Sequence, residues 1–280
     1  MKIKDALING KDTLDKSSIK DSTQKARRLL AFVLNKEKEY LMIHENDDVN
    51  DKIYDLYMEN INRLSNHEPI QYIIGMQEFM GFSFNVDKNV LIPQPDTENL
   101  VEEVVKITQE KKIERPKILD LCTGSGAIAI SLAKLVKNSI VYGSDISRDA
   151  LNVAENNSIL NQANVLFIKS DMFKNIYKDY RFNIIVSNPP YIETETIVNL
   201  DKEVQNEPHL ALDGGEDGLK FYREIAENAK NYLEENGYLA LEIGFNQKDE
   251  VVKILKDNGY KNIYFRKDLS GINRVIICQV

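Results

Sequence analysis

The chain has 280 residues, 42% of them hydrophobic, which suits a globular protein with one large domain and one small one. A formal net charge of -8 at pH 7 excludes a broad, charge-driven grip on nucleic acid, because that grip depends on Lys and Arg neutralising phosphates. The two cysteines, Cys122 and Cys278, lie far apart without metal-ligand spacing, so both are read as reduced, buried thiols and neither a disulfide framework nor a metal site is expected.

No stretch approaches the roughly 18 consecutive apolar residues of a membrane span. The Met1-Lys2-Ile3-Lys4-Asp5 start lacks the apolar core of a leader, so a cytoplasmic protein with no membrane partner is expected. Residues 1–70 read as helices joined by charged turns. One starts at Asp21, which can cap, with Gln24 three residues on and Ala26, Leu29, Leu30 and Val33 on one face. A second runs over residues 51–66 with the apolar stripe Ile53, Leu56, Tyr57, Ile61 and Leu64. No catalytic constellation stands out there, and the expectation is a small N-terminal helical domain that docks a macromolecular substrate.

Over residues 71–95 the period changes. Tyr72-Ile73-Ile74, Phe79, Phe82-Ser83-Phe84-Asn85-Val86 and Val90-Leu91-Ile92 predict short strands around Gly75 and Gly81, forming a β-hairpin linker. Pro93 and Pro95 stiffen the chain before a helix capped by Asp96 or Thr97 and carrying Leu100, Val101, Val104 and Val105. Residues 96–280 then alternate strand and helix. Strands are predicted at 117–121, 140–145, 165–168, 182–187, 238–243, 262–265 and 275–280, with helices from Ala127, Arg148, Leu219 and Val251. Such alternation means an α/β fold, a mostly parallel sheet with helices on both faces, whose ligands bind at the carboxyl ends of the strands where their order reverses.

Two segments carry chemistry. In Asp120-Leu121-Cys122-Thr123-Gly124-Ser125-Gly126 a strand turns into a helix; the glycines let a ligand approach the backbone, and the helix N-terminus offers unpaired N–H groups. Asp145 ends the next strand about 20 residues on, where a ribose diol is held in nucleoside-binding sheets. Without a third glycine the pattern points to a nucleoside lacking a pyrophosphate, against a nicotinamide oxidoreductase. The second segment, Asn188-Pro189-Pro190-Tyr191, follows a strand directly. It suits a planar amide or amine nitrogen, whose two in-plane N–H groups can be held by the Asn188 side-chain oxygen and the Pro189 carbonyl, with the prolines keeping both rigid. Carbonyl dipoles there stabilise positive charge as the nitrogen takes a methyl group, and Tyr191 can offer an aromatic face to a cationic sulfonium.

Around these lie Glu68-Pro69-Ile70-Gln71-Tyr72-Ile73-Ile74-Gly75, Leu91-Ile92-Pro93-Gln94-Pro95-Asp96-Thr97-Glu98, Glu207-Pro208 with Ala211-Leu212-Asp213-Gly214-Gly215, Asp217-Gly218-Leu219, Leu241-Glu242-Ile243-Gly244 with Gln247, and Asp268-Leu269 with Gly271 and Arg274. With these segments in this order the chain, from about residue 22 onward, resembles the release factor glutamine methyltransferases. The resemblance implies a class I S-adenosylmethionine-dependent methyltransferase, a Rossmann-like seven-stranded sheet, acting on the glutamine of Gly-Gly-Gln in class I peptide chain release factors. It implies that Cys122, Thr123, Gly124, Ser125 and Gly126 line the methionine and ribose part of S-adenosylmethionine, that Asp145 binds the ribose hydroxyls, and that Asp171 and Met172 border the adenine. Asn188, Pro189, Pro190 and Tyr191 would hold the glutamine amide, Asn188 also touching the cofactor, and Leu91 or Ile92 would form a nearby wall.

Three positions depart from the family pattern: Gln94 stands where Arg is common, Cys122 for a usual Gly, and Met172 for a common aromatic. An alternative is a DNA or RNA amino methyltransferase of the N6-adenine type, which shares the Asn188 tetrapeptide but needs base flipping and a basic tract. A non-catalytic partner-binding protein that keeps the fold is a third. Direct nucleic-acid binding is not expected, and a monomer is the simpler expectation. His44, His67 and His209 read as isolated surface or packing residues, and Glu193 with Glu195 as a solvated loop.

Overall fold

The computed structural model describes residues 1–268 and 270–280. Leu269, part of the family resemblance, lies outside the described residues. The chain divides into two compact units, residues 1–76 with 201–206 and residues 77–200 with 207–280.

The first unit contains α1 (Ile3–Lys16), α2 (Ser22–Leu34), α3 (Lys38–Ile43), α4 (Asp51–Ser65) and α5 (Ile70–Ile74). Its core gathers Ile3, Leu14, Leu29, Leu30, Tyr57 and Ile61, the apolar stripes of the three longer helices. Asn50 caps α4, its side-chain oxygen accepting the Ile53 N–H at 3.0 Å. Asp21 departs from the expected cap: it stands at φ +55 before α2 and its side chain makes no capping bond. The strand expected at Tyr72-Ile73-Ile74 is the short helix α5, because Pro69 (φ -54) presets the first turn and Gly75 (φ +80) supplies the left-handed stop. The returning segment 201–206 is held within this unit. Lys20 pairs with Asp201 at 3.0 Å, Lys25 with Glu203 at 2.5 Å, and Asn206 Nδ2 donates to the His67 carbonyl at 2.9 Å.

The second unit opens with the hairpin of β1 (Met76–Phe79) and β2 (Phe82–Asn85). α6 (Pro95–Glu110) starts two or three residues earlier than expected, with Gln94 rather than Asp96 or Thr97 at the cap and Pro95 as its first residue. Then come β3 (Lys117–Leu121), α7 (Ala127–Leu135), β4 (Ile140–Asp145), α8 (Arg148–Leu160), β5 (Val165–Lys169), β6 (Phe182–Ser187), the short α9 (Lys202–Gln205), which belongs to the returning segment of the first unit, and then, again in the second unit, α10 (His209–Leu212), α11 (Lys220–Asn228), β7 (Leu233–Glu242), α12 (Lys248–Asp257), β8 (Lys261–Lys267) and β9 (Asn273–Gln279). The seven strands are ordered β5-β4-β3-β6-β7-β9-β8, with β9 antiparallel to both its neighbours.

Two clusters of buried side chains cover the sheet, and strand residues divide between them by the period-two rule. Leu119, Leu121, Ile185, Leu239 and Leu241 belong to one cluster, Ile118, Ile184, Val186, Tyr238 and Ala240 to the other. The strand order reverses between β3 and β6, so their carboxyl ends open a crevice. Val90-Leu91-Ile92, expected as a strand, pairs with no sheet; the Ile92 N–H donates to Glu207 Oε2 at 2.9 Å instead.

Candidate functional site

A cavity of about 460 Å³ opens at this crevice, within the range, roughly 300 to 1,000 Å³, of small-molecule sites. Cys122 and Gly124 after β3, Asp145 at the end of β4, Asp171 and Met172 after β5, and Asn188 and Pro190 after β6 all line it.

Asp145 Oδ2 accepts the Gly124 N–H at 2.9 Å and Oδ1 the Ser147 N–H at 2.9 Å. Burial pushes its carboxyl pKa up, while backbone N–H groups of Ser147, Gly124 and Ile146 hold it down. A carboxylate has about four lone-pair positions, so a diol in the cavity finds acceptors left over. The helix after Asp145 is capped by Ser147, whose hydroxyl accepts the Ala150 N–H at 3.2 Å, which leaves Asp145 for the cavity.

A Cβ added to Gly124 (φ +53) would meet nothing within 4 Å, whereas at Gly126 (φ +81) it would come to 3.0 Å from Ile130 and 3.1 Å from Ala154. Gly124 therefore leaves room for a ligand, and Gly126 lets the turn close on α7 and α8. Cys122 stands at φ +59, a left-handed conformation that glycine adopts more readily than a residue with a Cβ. Its thiol lies 3.8 Å from the Met172 sulfur. Thr123, Ser125 and Gly126 do not line the cavity: the Thr123 hydroxyl donates to Asp120 Oδ2 at 2.6 Å, and the Ser125 carbonyl accepts Asn157 Nδ2 at 2.9 Å. They shape the turn from behind.

At the other wall, Asn188 Nδ2 donates to Thr97 Oγ1 at 3.3 Å, leaving its oxygen for a donor. Pro189 and Tyr191 are absent from the lining. Tyr191 turns its hydroxyl toward Glu242 Oε1, 3.4 Å away, and its carbonyl accepts Gln247 Nε2 at 2.8 Å. The expected aromatic face of Tyr191 therefore does not border the cavity. Two glycines of the 213–218 segment are explained by the same stretch: a Cβ on Gly214 would fall 2.7 Å from Tyr191 Cα, and one on Gly218 2.5 Å from its carbonyl oxygen. Glu207, buried and pushed up to about 7 by desolvation, pins Ile92 so that the adjoining Leu91 faces the cavity.

The sequence reading gave Ile146, Lys220, Phe221 and Glu224 no role and named Glu242 and Arg274 only within the family segments. Ile146, 44% exposed, and Phe221 add apolar surface to the cavity, and Lys220 and Glu224 line it. Glu242, only 3% exposed at the end of β7, is pushed up to about 7 by burial. Arg274 Nε binds Asp268 at 3.0 Å and its Nη2 reaches Asp96 at 3.3 Å. An apolar residue directly after the strand-ending Asp145 was the one available signal for Ile146; no periodicity marks the others. Among the described residues no group of His, Cys, Asp or Glu could hold a metal ion, and no helix is long and apolar enough to cross a membrane.

Residues 5–75 match the family described as PrmC N-terminal domain, and residues 97–216 match the methyltransferase small domain. The release factor glutamine methyltransferase of Clostridium acetobutylicum is 40% identical over 99% of this chain and 98% of its own length. The bifunctional methyltransferase of Rickettsia felis is 41% identical over 98% of this chain, which spans 57% of that longer relative. Among solved structures, the Thermus thermophilus 16S rRNA N2 G1207 methyltransferase, in complex with AdoMet and guanosine, superposes with a TM-score of 0.55 at 18% identity, covering 73% of this chain and 49% of that one, a likeness of fold alone. The seven-stranded sheet is the class I methyltransferase fold, and the chain belongs to the release factor glutamine methyltransferase family.

Proposed function

We propose that the chain transfers a methyl group from S-adenosylmethionine to the side-chain amide nitrogen, N5, of the glutamine in the Gly-Gly-Gln motif of class I peptide chain release factors. S-adenosylhomocysteine is the other product, and the methylation tunes translation termination. The protein is then a cytoplasmic enzyme whose second unit carries the chemistry and whose first, helical unit docks the protein substrate; the boundary expected at residues 70–71 moves to residue 76, because α5 carries the helices on to Ile74. The observation that carries this is Asn188 on the cavity wall, its amide nitrogen engaged by Thr97 and its oxygen left to accept. The relative from Clostridium acetobutylicum, matched over nearly its full length, supports the substrate by its name.

When bound, S-adenosylmethionine supplies an electrophilic methyl group on a sulfonium. Asp145 holds the ribose hydroxyls, Cys122 and Gly124 border the methionine and ribose, and Met172 with Asp171 flanks the adenine, with Ile146 as added apolar surface. Thr123, Ser125 and Gly126 keep that turn in shape. Asn188 Oδ1 accepts one N–H hydrogen of the glutamine amide, and the second falls to the carbonyl of Pro189, a residue that does not itself line the cavity, so that the amide plane is fixed. Both dipoles gain strength as positive charge develops on the nitrogen, which lowers the barrier more than it tightens ground-state binding. Pro190 packs beside the amide and Tyr191 anchors the tetrapeptide through Glu242. One N–H proton leaves to solvent after the transfer.

The test is mass spectrometry of an unmodified class I release factor incubated with the protein and S-adenosylmethionine, beside an adenine-containing DNA duplex. One added methyl on the Gly-Gly-Gln glutamine, absent when that residue is Ala, is expected. Methyl on the DNA alone overturns the substrate. In parallel, Asn188→Ala binds S-adenosylmethionine as before and loses methyl transfer; unchanged activity overturns its role.

A further inference from the structure

An asparagine side chain presents two opposite ends, a carbonyl oxygen and an NH₂ group, and a half-turn of its terminal torsion exchanges them at small steric cost. Only the oxygen can accept a hydrogen from a substrate amide. Something must therefore keep the NH₂ of Asn188 away from the reacting centre.

Its immediate partner is Thr97 in the first turn of α6, 5% exposed, whose Oγ1 accepts from Asn188 Nδ2 at 3.3 Å. A hydroxyl donates as readily as it accepts, so Thr97 alone does not choose. Turned the other way it would donate to the Asn188 oxygen and swing the NH₂ into the cavity. Behind Thr97 lies Glu242, the last residue of β7. Tyr191 donates toward its Oε1 at 3.4 Å, while its Oε2 is buried and has no hydrogen-bond partner among the described residues. The Thr97 hydroxyl bears on that carboxyl and favours its charged form. An ionised carboxylate accepts and never donates. Oε2 is the open acceptor for the one hydrogen of Thr97, and a Thr97 whose hydrogen is engaged there offers Asn188 lone pairs alone.

We infer that Thr97 and Glu242 are positioning residues that fix which end of the Asn188 side chain faces the cavity, Glu242 setting the hydrogen-bond direction and Thr97 passing it on. The inference rests on the proposed role of Asn188 as acceptor for the substrate amide.

The experiment compares wild type with Thr97→Val, Thr97→Ser, Glu242→Gln and Asn188→Ala. It measures kcat and KM for release factor methylation, the Kd for S-adenosylmethionine by calorimetry, and the Asn188 side-chain NH₂ resonances of the ligand-free protein by NMR. Thr97→Val, which keeps shape and loses the hydroxyl, lowers kcat about 10- to 100-fold, the scale of a small misplacement of a positioning group, with Kd within about threefold. Thr97→Ser restores kcat to within about threefold and keeps the Asn188 resonances in place. Glu242→Gln, whose NH₂ can donate to Thr97 and reverse the chain, lowers kcat on the same scale and shifts those resonances. Wild-type kcat in both Thr97→Val and Glu242→Gln, or a Thr97→Ser protein as impaired as Thr97→Val, overturns the inference. If Asn188→Ala itself keeps wild-type activity, it is the role of Asn188 that fails; if Asn188→Ala is inactive while Thr97→Val and Glu242→Gln are active, that role stands and only the positioning assignment falls.

Discussion

Asn157 and Asn85 exchange two hydrogen bonds, side chain against backbone: the Asn85 N–H donates to Asn157 Oδ1 at 2.7 Å, and Asn157 Nδ2 returns a bond to the Asn85 carbonyl at 3.0 Å. The same Nδ2 donates to the Ser125 carbonyl at 2.9 Å. One fully buried amide on α8 therefore ties the end of β2 to the turn that lines the cavity. Asn157→Leu removes all three bonds and leaves the Ser125 carbonyl without this donor. We expect a loss of about 2 to 4 kcal/mol, read from urea unfolding, since each buried group left unpaired costs roughly 1 to 3 kcal/mol.

Cys122 holds a left-handed backbone at φ +59. For a residue with a Cβ that conformation costs roughly 1 to 2 kcal/mol, which glycine avoids. Cys122→Ala gives up the thiol without relieving the backbone, whereas Cys122→Gly relieves it. Cys122→Gly should be the more stable of the two by about 1 kcal/mol after the added freedom of its unfolded chain is counted. Equal stability would remove strain as the account of this position.

Three buried carboxyls, Asp120, Glu207 and Glu242, are each pushed up to about 7, in every case chiefly by burial. A group whose folded pKa exceeds its unfolded value binds its proton more tightly when folded. Stability therefore falls as pH rises from about 4 to about 7, by up to about 3 kcal/mol for each glutamate and about 4 kcal/mol for Asp120. Unfolding midpoints in urea should be higher at pH 5.5 than at pH 8. Glu207→Gln, which keeps an acceptor for Ile92, should remove its share of the slope.

Activity should run the opposite way. Glu242 must be ionised to set the direction of Thr97, and it faces Arg274 and Tyr191, which favour the charged form, as well as Asp96, which opposes it. The Tyr222 hydroxyl donates to the Glu242 backbone carbonyl at 3.0 Å and so leaves the carboxyl alone. Release factor methylation at saturating substrate is expected to fall as pH drops below about 7, and the residual activity of Glu242→Gln to lack that inflection. An inflection that persists in Glu242→Gln assigns it to another group.

Asp145→Ala should weaken S-adenosylmethionine about 10- to 100-fold by calorimetry, the loss of one or two hydrogen bonds to a charged acceptor. Its melting temperature serves as the control, since Gly124 and Ser147 also lose their acceptor. Unchanged affinity would remove Asp145 from the ribose site.

What the sequence made legible follows from how directly a residue reports on its own strand. Asp145 and Asn188 sit at strand ends, so the apolar run before each one located it. Tyr72-Ile73-Ile74 looks like a strand because its residues are aromatic and β-branched, yet Pro69 and Gly75 on either side impose one helical turn. Val90-Leu91-Ile92 is apolar because Leu91 lines a cavity and Ile92 is buried against Glu207, a partner 115 positions away. Tyr191 was placed correctly along the chain, but the direction of its ring depends on Glu242, 51 positions on. Thr97 read as a possible cap, an ordinary role that concealed its bond to Asn188. Contacts of this kind belong to tertiary structure and leave no local period.

Residues 201–206 belong to the first unit although the residues on both sides belong to the second, so the chain passes between the units three times. The helical unit is consequently not a module that a single cut can release. A truncation after residue 76 would strip Asp201 and Glu203 of the lysines they pair with and leave Asn206 without the His67 carbonyl. Grafting residues 1–76 onto a different methyltransferase would leave the seat of α9 empty. Recombination between related genes preserves this unit only when it carries both pieces together, so Lys20 and Lys25 are inherited as partners of a loop some 180 codons downstream.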